Sequence, residues 1–378
     1  MVVKKIGVFT FHVAHNYGAM LQAYALPTAV NKLGYDCEVV DYRFPYIYNW
    51  GKGINLKELI YTYGVLRGGL RCIKRLIQGL YNPKLKYNKF NSFRETIIKH
   101  SAIIYRNKGE LCNLNYDAIL FGSDQIWNEQ LTNGVADEFF GNFQCMPHTK
   151  RIAYAASNGQ SKFPLEYEQR YYEYLRKFSA LGIREEKLKE SLKLAGFDAQ
   201  CVLDPTLLLT QDDWYSMLKQ SKYDIALPSE QYLLLYVFDE DDMVYEIAQD
   251  IADKYRLKIV AIMYGKKELP LKNVIIHTEC GPVDFVRFFA NASFVVTTSF
   301  HGTAFSIMFH KDLYCIPHPT LHERTDSLLS LVGLENRNIT SKEQISKNDA
   351  IDWNTVEERL ENERKKSLQF LVNAIESE

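Results

Sequence analysis

The chain has 378 residues, too many for one ordinary core and enough for two domains of typical size. A formal net charge of −1 excludes the basic excess of a bulk nucleic-acid binder, so no nucleic-acid partner is expected. The seven cysteines are odd in number and contain no C-x-x-C pair; they form neither a disulfide framework nor a zinc motif, and no metal site is expected.

Lys5 to Phe11 reads as a short buried strand. Its apolar run is too short for a signal-peptide core, and no segment approaches the ~20 apolar residues of a bilayer span. The expectation is a cytosolic protein, at most one resting on the inner face of a membrane. Gly18 to Leu33 reads as a helix that Gly34 ends, and Asp36 to Asp41 as a second strand. Strand, helix and strand in that space make a βαβ unit and imply a parallel sheet. In the segment that follows, Arg67, Arg71, Lys74 and Arg75 recur at helical spacing. They fit either peripheral contact with an anionic membrane or the solvated face of a packed helix. Further strands are expected at 117–121, 151–155 and 179–183.

The same alternation resumes near Gln231. Strands are expected at 232–238, 257–263, 274–276, 294–298 and 313–316, with helices at 241–255, 282–290 and 301–309. A long helix is expected over 355–375. Leu203 to Ser229 contains Asp204-Pro205 and Leu227-Pro228 and reads as the crossover between halves. The expected division is an N-terminal Rossmann-like domain over 1–205, a second over 206–350 and a terminal helix over 351–378. Two such halves place ligands at strand C-terminal ends, in the cleft between them. The 25 Tyr and 21 Phe fit either sugar-binding surfaces or a Tyr-rich core.

Polar clusters follow several of these strands. His15-Asn16-Tyr17-Gly18-Ala19 sets a glycine at a strand-to-helix turn, where backbone N–H groups favour an anion. Gly122-Ser123-Asp124-Gln125-Ile126-Trp127-Asn128 combines a carboxylate, two amides, a hydroxyl and an indole. It fits either the reading of sugar hydroxyls or a helix start capped by Ser123 or Asp124. Arg184 is either a bidentate anion holder or half of a surface ion pair with Glu185 or Glu186. His301, within Ser299-Phe300-His301-Gly302-Thr303, is either a proton-transfer group or a capping residue.

Four segments together resemble the polysaccharide pyruvyl transferase family: Asn16 to Leu26, Gly122 to Asn128, Arg184 through Asp204-Pro205-Thr206, and Ser299 to Ser306. The resemblance covers about residues 5 to 335. It implies a glycosyltransferase-B-like pair of Rossmann-type domains. It also implies phosphoenolpyruvate as co-substrate without a further cofactor, and an acceptor that is a sugar or lipid-linked oligosaccharide of a surface polysaccharide. Carried onto this chain, it makes Arg184, Ser299, Gly302 and His301 donor-side residues, with His301 also catalytic. Asp124 is the candidate base. Asn16, Tyr17, Gly18, Ser123, Gln125, Trp127 and Asn128 become acceptor-side residues. Some members carry an Arg two residues before the His, where this chain has Ser299; Arg324 and, less favoured, Lys311 are the candidate replacements. A nucleotide-sugar-dependent glycosyltransferase and a non-catalytic glycan-binding relative are the competing readings.

Overall fold

The computed structural model describes residues 3–44, 47, 83–144, 148–221, 225–238, 242–265, 268–317, 323–347 and 350–377. The basic segment around Arg67 to Arg75 lies outside them. The first sheet comprises β1 (Lys5–Phe9), β2 (Asp36–Tyr42), β3 (His100–Tyr105), β4 (Ala118–Phe121), β5 (Lys150–Ala156), β6 (Ala180–Ile183) and β7 (Ala199–Cys201). Its order is 3-2-1-4-5-6-7, and every pairing is parallel. The second sheet comprises β8 (Tyr232–Tyr236), β9 (Lys258–Ile262), β10 (Val274–His277), β11 (Phe294–Thr297) and β12 (Asp312–Cys315). Its order is 10-9-8-11-12, again parallel throughout. Both sheets therefore reverse direction beside their first strand, at β1/β4 and at β8/β11, where doubly wound folds open a crevice.

The central strands are apolar runs because helices cover both faces of a parallel sheet. Ala118-Ile119-Leu120-Phe121 and Tyr232 to Tyr236 are buried at every position. The helices are α1 (Tyr17–Lys32), α2 (Pro83–Thr96), α3 (Glu129–Thr132), α4 (Leu165–Leu175), α5 (Glu186–Leu194) and α6 (Gln211–Leu218), then α7 (Asp242–Tyr255), α8 (Pro282–Asn291), α9 (Phe300–Met308), α10 (Glu323–Val332) and α11 (Trp353–Glu376). Helix α1 is buried along nearly its whole length because it is wedged between the halves. Tyr17 stacks on Phe285 of α8 at 4.7 Å, and Tyr24 packs on Trp214 of α6 at 5.6 Å. One apolar cluster thus runs from β1 through α1 into β8 and β9.

Helix α11 returns to the first sheet. Phe370 lies against Tyr154, and the amide of Leu203 donates to Ser367 Oγ at 2.9 Å. The terminal helix is therefore a packed layer of the N-terminal half, although some 150 residues of the other half separate it in sequence. No described helix is long and apolar enough to cross a membrane.

Candidate functional site

The two reversal points face each other across a cleft of about 430 Å³. From the first half Asn16, Gly18, Asp124, Gln125 and Asn128 line it; from the second, Tyr236, Phe238, Thr298, Ser299, Phe300, His301 and Arg324. A second cleft of about 610 Å³ shares Phe300 and Arg324 with the first and is lined also by Arg184 and Asp204.

The local sequence explains how His301 reaches the centre. Ser299 is the N-cap of α9, and its Oγ accepts from the Gly302 amide at 3.3 Å, which turns the first helical residues toward α1. The imidazole then lies over Gly18, where any Cβ would fall 2.1 Å from His301 Nδ1. His301 Nε2 is 3.9 Å from Asp204 Oδ2 and makes no hydrogen bond. Burial pushes the imidazole below its ordinary pKa; Asp204 and Asp124 oppose that, and Arg184 and Arg324 add to it.

Arg184 follows β6 and is buried. Its Nε donates to Glu185 Oε1 and its Nη1 to Asp204 Oδ2, both at 3.2 Å, whereas Nη2 has no partner. Burial works against its charge, but Glu185 and Asp204 outweigh it, so its pKa rises. Asp204 is fully engaged: Ser123 Oγ donates to it at 3.2 Å, and Thr206 donates from both amide and hydroxyl. Against burial, His301, Arg184 and Thr206 hold its carboxyl below the ordinary range.

Arg324 opens α10. Its guanidinium carbon lies 5.8 Å from the Phe300 ring centre, and that of Arg184 lies 5.4 Å away, so the ring keeps the two cations in place. With the Gln125 amide oxygen turned toward it, Gln125 accepts from both Nη atoms at 3.1 Å. Arg324 Nε has no partner, and among the described residues no carboxylate pairs with this guanidinium. Burial and the neighbouring Arg184 push its pKa down to about 10.

The structure brings Asn16, Gly18, Asp124, Gln125, Asn128, Ser299, His301 and Arg324 to one cleft, with Arg184 joined to His301 through Asp204. Five expected site residues lie elsewhere. Trp127 is 1% exposed; its indole donates to the Phe139 carbonyl and stacks on Phe140, so it is core and presents nothing to a sugar. Tyr17 is sealed between the halves, and its hydroxyl donates to the Cys280 carbonyl at 2.9 Å. Ser123 is buried just beyond the end of the central strand β4, and its hydroxyl is spent on Asp204. Gly302 serves packing, since a Cβ there would meet Thr297 Oγ1 at 2.2 Å. Lys311 precedes β12, at the edge of the second sheet opposite the one His301 follows; the strands are parallel, so it stands a strand length from the cleft. The helix after the Gly122 cluster starts at Glu129 and is capped by Asn128, not by Ser123 or Asp124.

Asp204 and Phe238 were not among the expected site residues. Asp204 follows β7, whose Ala-Gln-Cys carries no apolar run to mark a strand. Phe238 reads in sequence as the last residue of β8, but the strand ends at Tyr236. Among the described residues no group of three His, Cys, Asp or Glu side chains is placed to hold a metal ion.

Comparison with solved structures returns the same two-sheet, glycosyltransferase-B-like fold. A Staphylococcus aureus MnaA structure with UDP matches at TM-score 0.51 and 12% identity, covering 98% of this chain and 95% of that one. A UDP-GlcNAc 2-epimerase from Neisseria meningitidis bound to UDP-GlcNAc matches at TM-score 0.50 and 10% identity, covering 98% and 99%. At such identities the likeness concerns the fold alone. Comparison with curated proteins returns no match. The family model for polysaccharide pyruvyl transferase matches residues 16–319, a span that holds the Asn16, Gly122, Arg184 and Ser299 segments and both sides of the cleft. The chain belongs to the polysaccharide pyruvyl transferase family, and is an enzyme of the transferase class.

Proposed function

We propose that this chain transfers the pyruvyl group of phosphoenolpyruvate to a sugar, free or lipid-linked, of a surface-polysaccharide precursor, and closes it as a ketal on two hydroxyls. The observation that carries the reading is the set of sealed, unpartnered N–H and ring-nitrogen atoms around Phe300: Arg184 Nη2, Arg324 Nε and His301 Nε2. Buried polar atoms without partners are costly, so a ligand that satisfies all three is favoured. A small molecule with a phosphate and a carboxylate fits that donor set.

The reaction needs a proton on C3 of the enol, addition of one hydroxyl oxygen to C2, departure of phosphate by cleavage of its bond to C2, and addition of a second hydroxyl. Two hydroxyl protons leave; one proton ends on C3 and one on phosphate. The exchange therefore balances with one acid and one base that cycle. His301 supplies a proton to the departing phosphate, and Asp124, on the acceptor wall, receives a hydroxyl proton. Arg324 holds the donor carboxylate: its planar fork suits that group, and among the described residues no carboxylate pairs with it. Arg184 stays tied to Glu185 and Asp204 and offers Nη2 to the phosphate.

Titration calorimetry of phosphoenolpyruvate against Arg324→Ala tests this. Charge-assisted hydrogen bonds of about 2 kcal/mol predict a loss of donor affinity of roughly 30-fold. Unchanged donor affinity in this variant, or no donor binding by the wild type, overturns the reading.

A further inference from the structure

Phe238 and Tyr264 lie two residues beyond the ends of the neighbouring parallel strands β8 and β9, and their rings stack at 6.0 Å with 24° between planes. They remain 47% and 40% exposed, although burying aromatic rings is among the largest gains a fold can make. The pair is nevertheless fixed. Lys86 Nζ sits 3.7 Å from the Tyr264 ring centre, and the Tyr17 ring packs on Tyr264 at 5.6 Å. Phe238 packs edge-on against Tyr236 at 5.2 Å, and its amide donates to Thr298 Oγ1 at 3.3 Å. Phe238 also lines the cleft that holds His301. A half-exposed aromatic surface, packed on Lys86 and Tyr236, thus runs outward from the site.

We infer that the Phe238–Tyr264 pair is the acceptor subsite, on which the C–H face of a pyranose ring stacks while its hydroxyls turn to the amide-lined wall of Asn16, Gln125 and Asn128. This deepens the reading above, since it names which surface of that site takes the sugar. The chemistry excludes the donor from this place: the ring faces carry the negative side of the aromatic quadrupole and disfavour an anion. A pyranose presents a patch of C–H groups that matches a flat ring, with its polar groups at the rim. A nucleobase also stacks on such rings, but a nucleotide diphosphate needs cations nearby. Lys86, beside the pair, is buried and turned onto the rings of Tyr17, Phe90 and Tyr264; among the described residues that line the cleft itself the cationic-type side chains are His301 and Arg324, which the proposed donor engages.

The test is saturation-transfer NMR on the full chain with the methyl glycosides of glucose, galactose, mannose and N-acetylmannosamine, one at a time, and with UMP. At least one glycoside is expected to receive saturation at its ring C–H protons. That signal should fall at least fivefold in Phe238→Ala and in Tyr264→Ala, and persist in Phe238→Tyr and Tyr264→Phe. Phosphoenolpyruvate affinity, measured in parallel, should stay at the wild-type value in all four variants. The inference is overturned if no glycoside signals, if the alanine variants leave the glycoside signal unchanged, or if those variants abolish a UMP signal instead. A wild-type chain that binds a glycoside through these rings but does not bind phosphoenolpyruvate keeps the subsite and removes the donor assignment.

Discussion

His301 gets its properties from its surroundings. In the proposed reaction His301 is the proton donor to phosphate; burial, two arginines, Asp204 and Asp124 set which form it takes. Its depressed pKa keeps it neutral in the free protein, so neutral His301 contributes stability that is present above about 6.5, its unfolded value, and lost as pH falls through the folded one. An incoming anion reverses the balance and favours the imidazolium. Donor binding should therefore take up a proton, and donor affinity should rise as pH falls toward neutrality. Calorimetry in two buffers of different ionisation heat measures the uptake, which should vanish in His301→Asn. Gly18 leaves the space that the same imidazole fills. In Gly18→Ala a methyl would occupy the imidazole's place, so turnover should fall on the order of a hundredfold while the circular dichroism spectrum stays native. Wild-type turnover in Gly18→Ala would show that the imidazole can move without consequence.

Helix α2 shows what an element adds beyond its own sequence. Pro83 to Thr96 interleaves Leu85, Phe90 and Phe93 with Lys and Asn, which is a faint helical stripe, and it docks on the second half by two lysines three residues apart. Lys86 points into the rings of Tyr17, Phe90 and Tyr264. Lys89 makes a buried ion pair with Asp284 of α8 at 2.6 Å. Asp284 in turn accepts from the amides of Gly281 and Ile225, so it holds α8 and a loop as well. Removing one partner of a buried pair leaves the other uncompensated, at about 3–5 kcal/mol. Lys89→Met should lower the urea midpoint by a corresponding amount; a midpoint within error of wild type would mean that the pair contributes nothing. Strands β3 and β7 and helices α2, α4, α5, α6 and α10 are absent from the elements expected from sequence. The three-residue edge strand β7 and the Lys- and Glu-rich helix α5 carry little apolar signal, whereas Val295-Val296 or Leu233-Leu234-Leu235 declare themselves.

The two halves become one molecule through contacts distant in sequence. Helix α11 lies on β5 and β6: Phe370 sits where a Cβ on Gly182 would approach within 2.8 Å, and Arg364 Nε donates to the Leu207 carbonyl at 2.9 Å. Lys4 and Lys150 both donate to the Ile375 carbonyl. Deleting 351–378 should uncover the Tyr154 face of the first sheet. The expected result is loss of the cooperative thermal transition and of near-ultraviolet dichroism; a truncated chain that melts at the wild-type temperature would show that the helix is dispensable. Parallel α/β architecture, the order of the major strands and four motif segments are legible in the amino-acid string, because buried strands are apolar without interruption and βαβ spacing is short. Arg324, in the segment after the His301 helix, lines the same cleft as His301. What a one-dimensional pattern does not contain is the direction a side chain takes once helices and sheets pack. Trp127 and Ser123 sit inside the most polar motif yet face the core, and Lys311, thirteen residues before Arg324, ends at the opposite sheet edge. Asp204 comes from the crossover and becomes the carboxylate that joins Arg184 to His301. Those outcomes depend on contacts between segments 20 to 280 residues apart, from Arg184–Asp204 to Gly18–His301. Only folding brings such segments within hydrogen-bonding range.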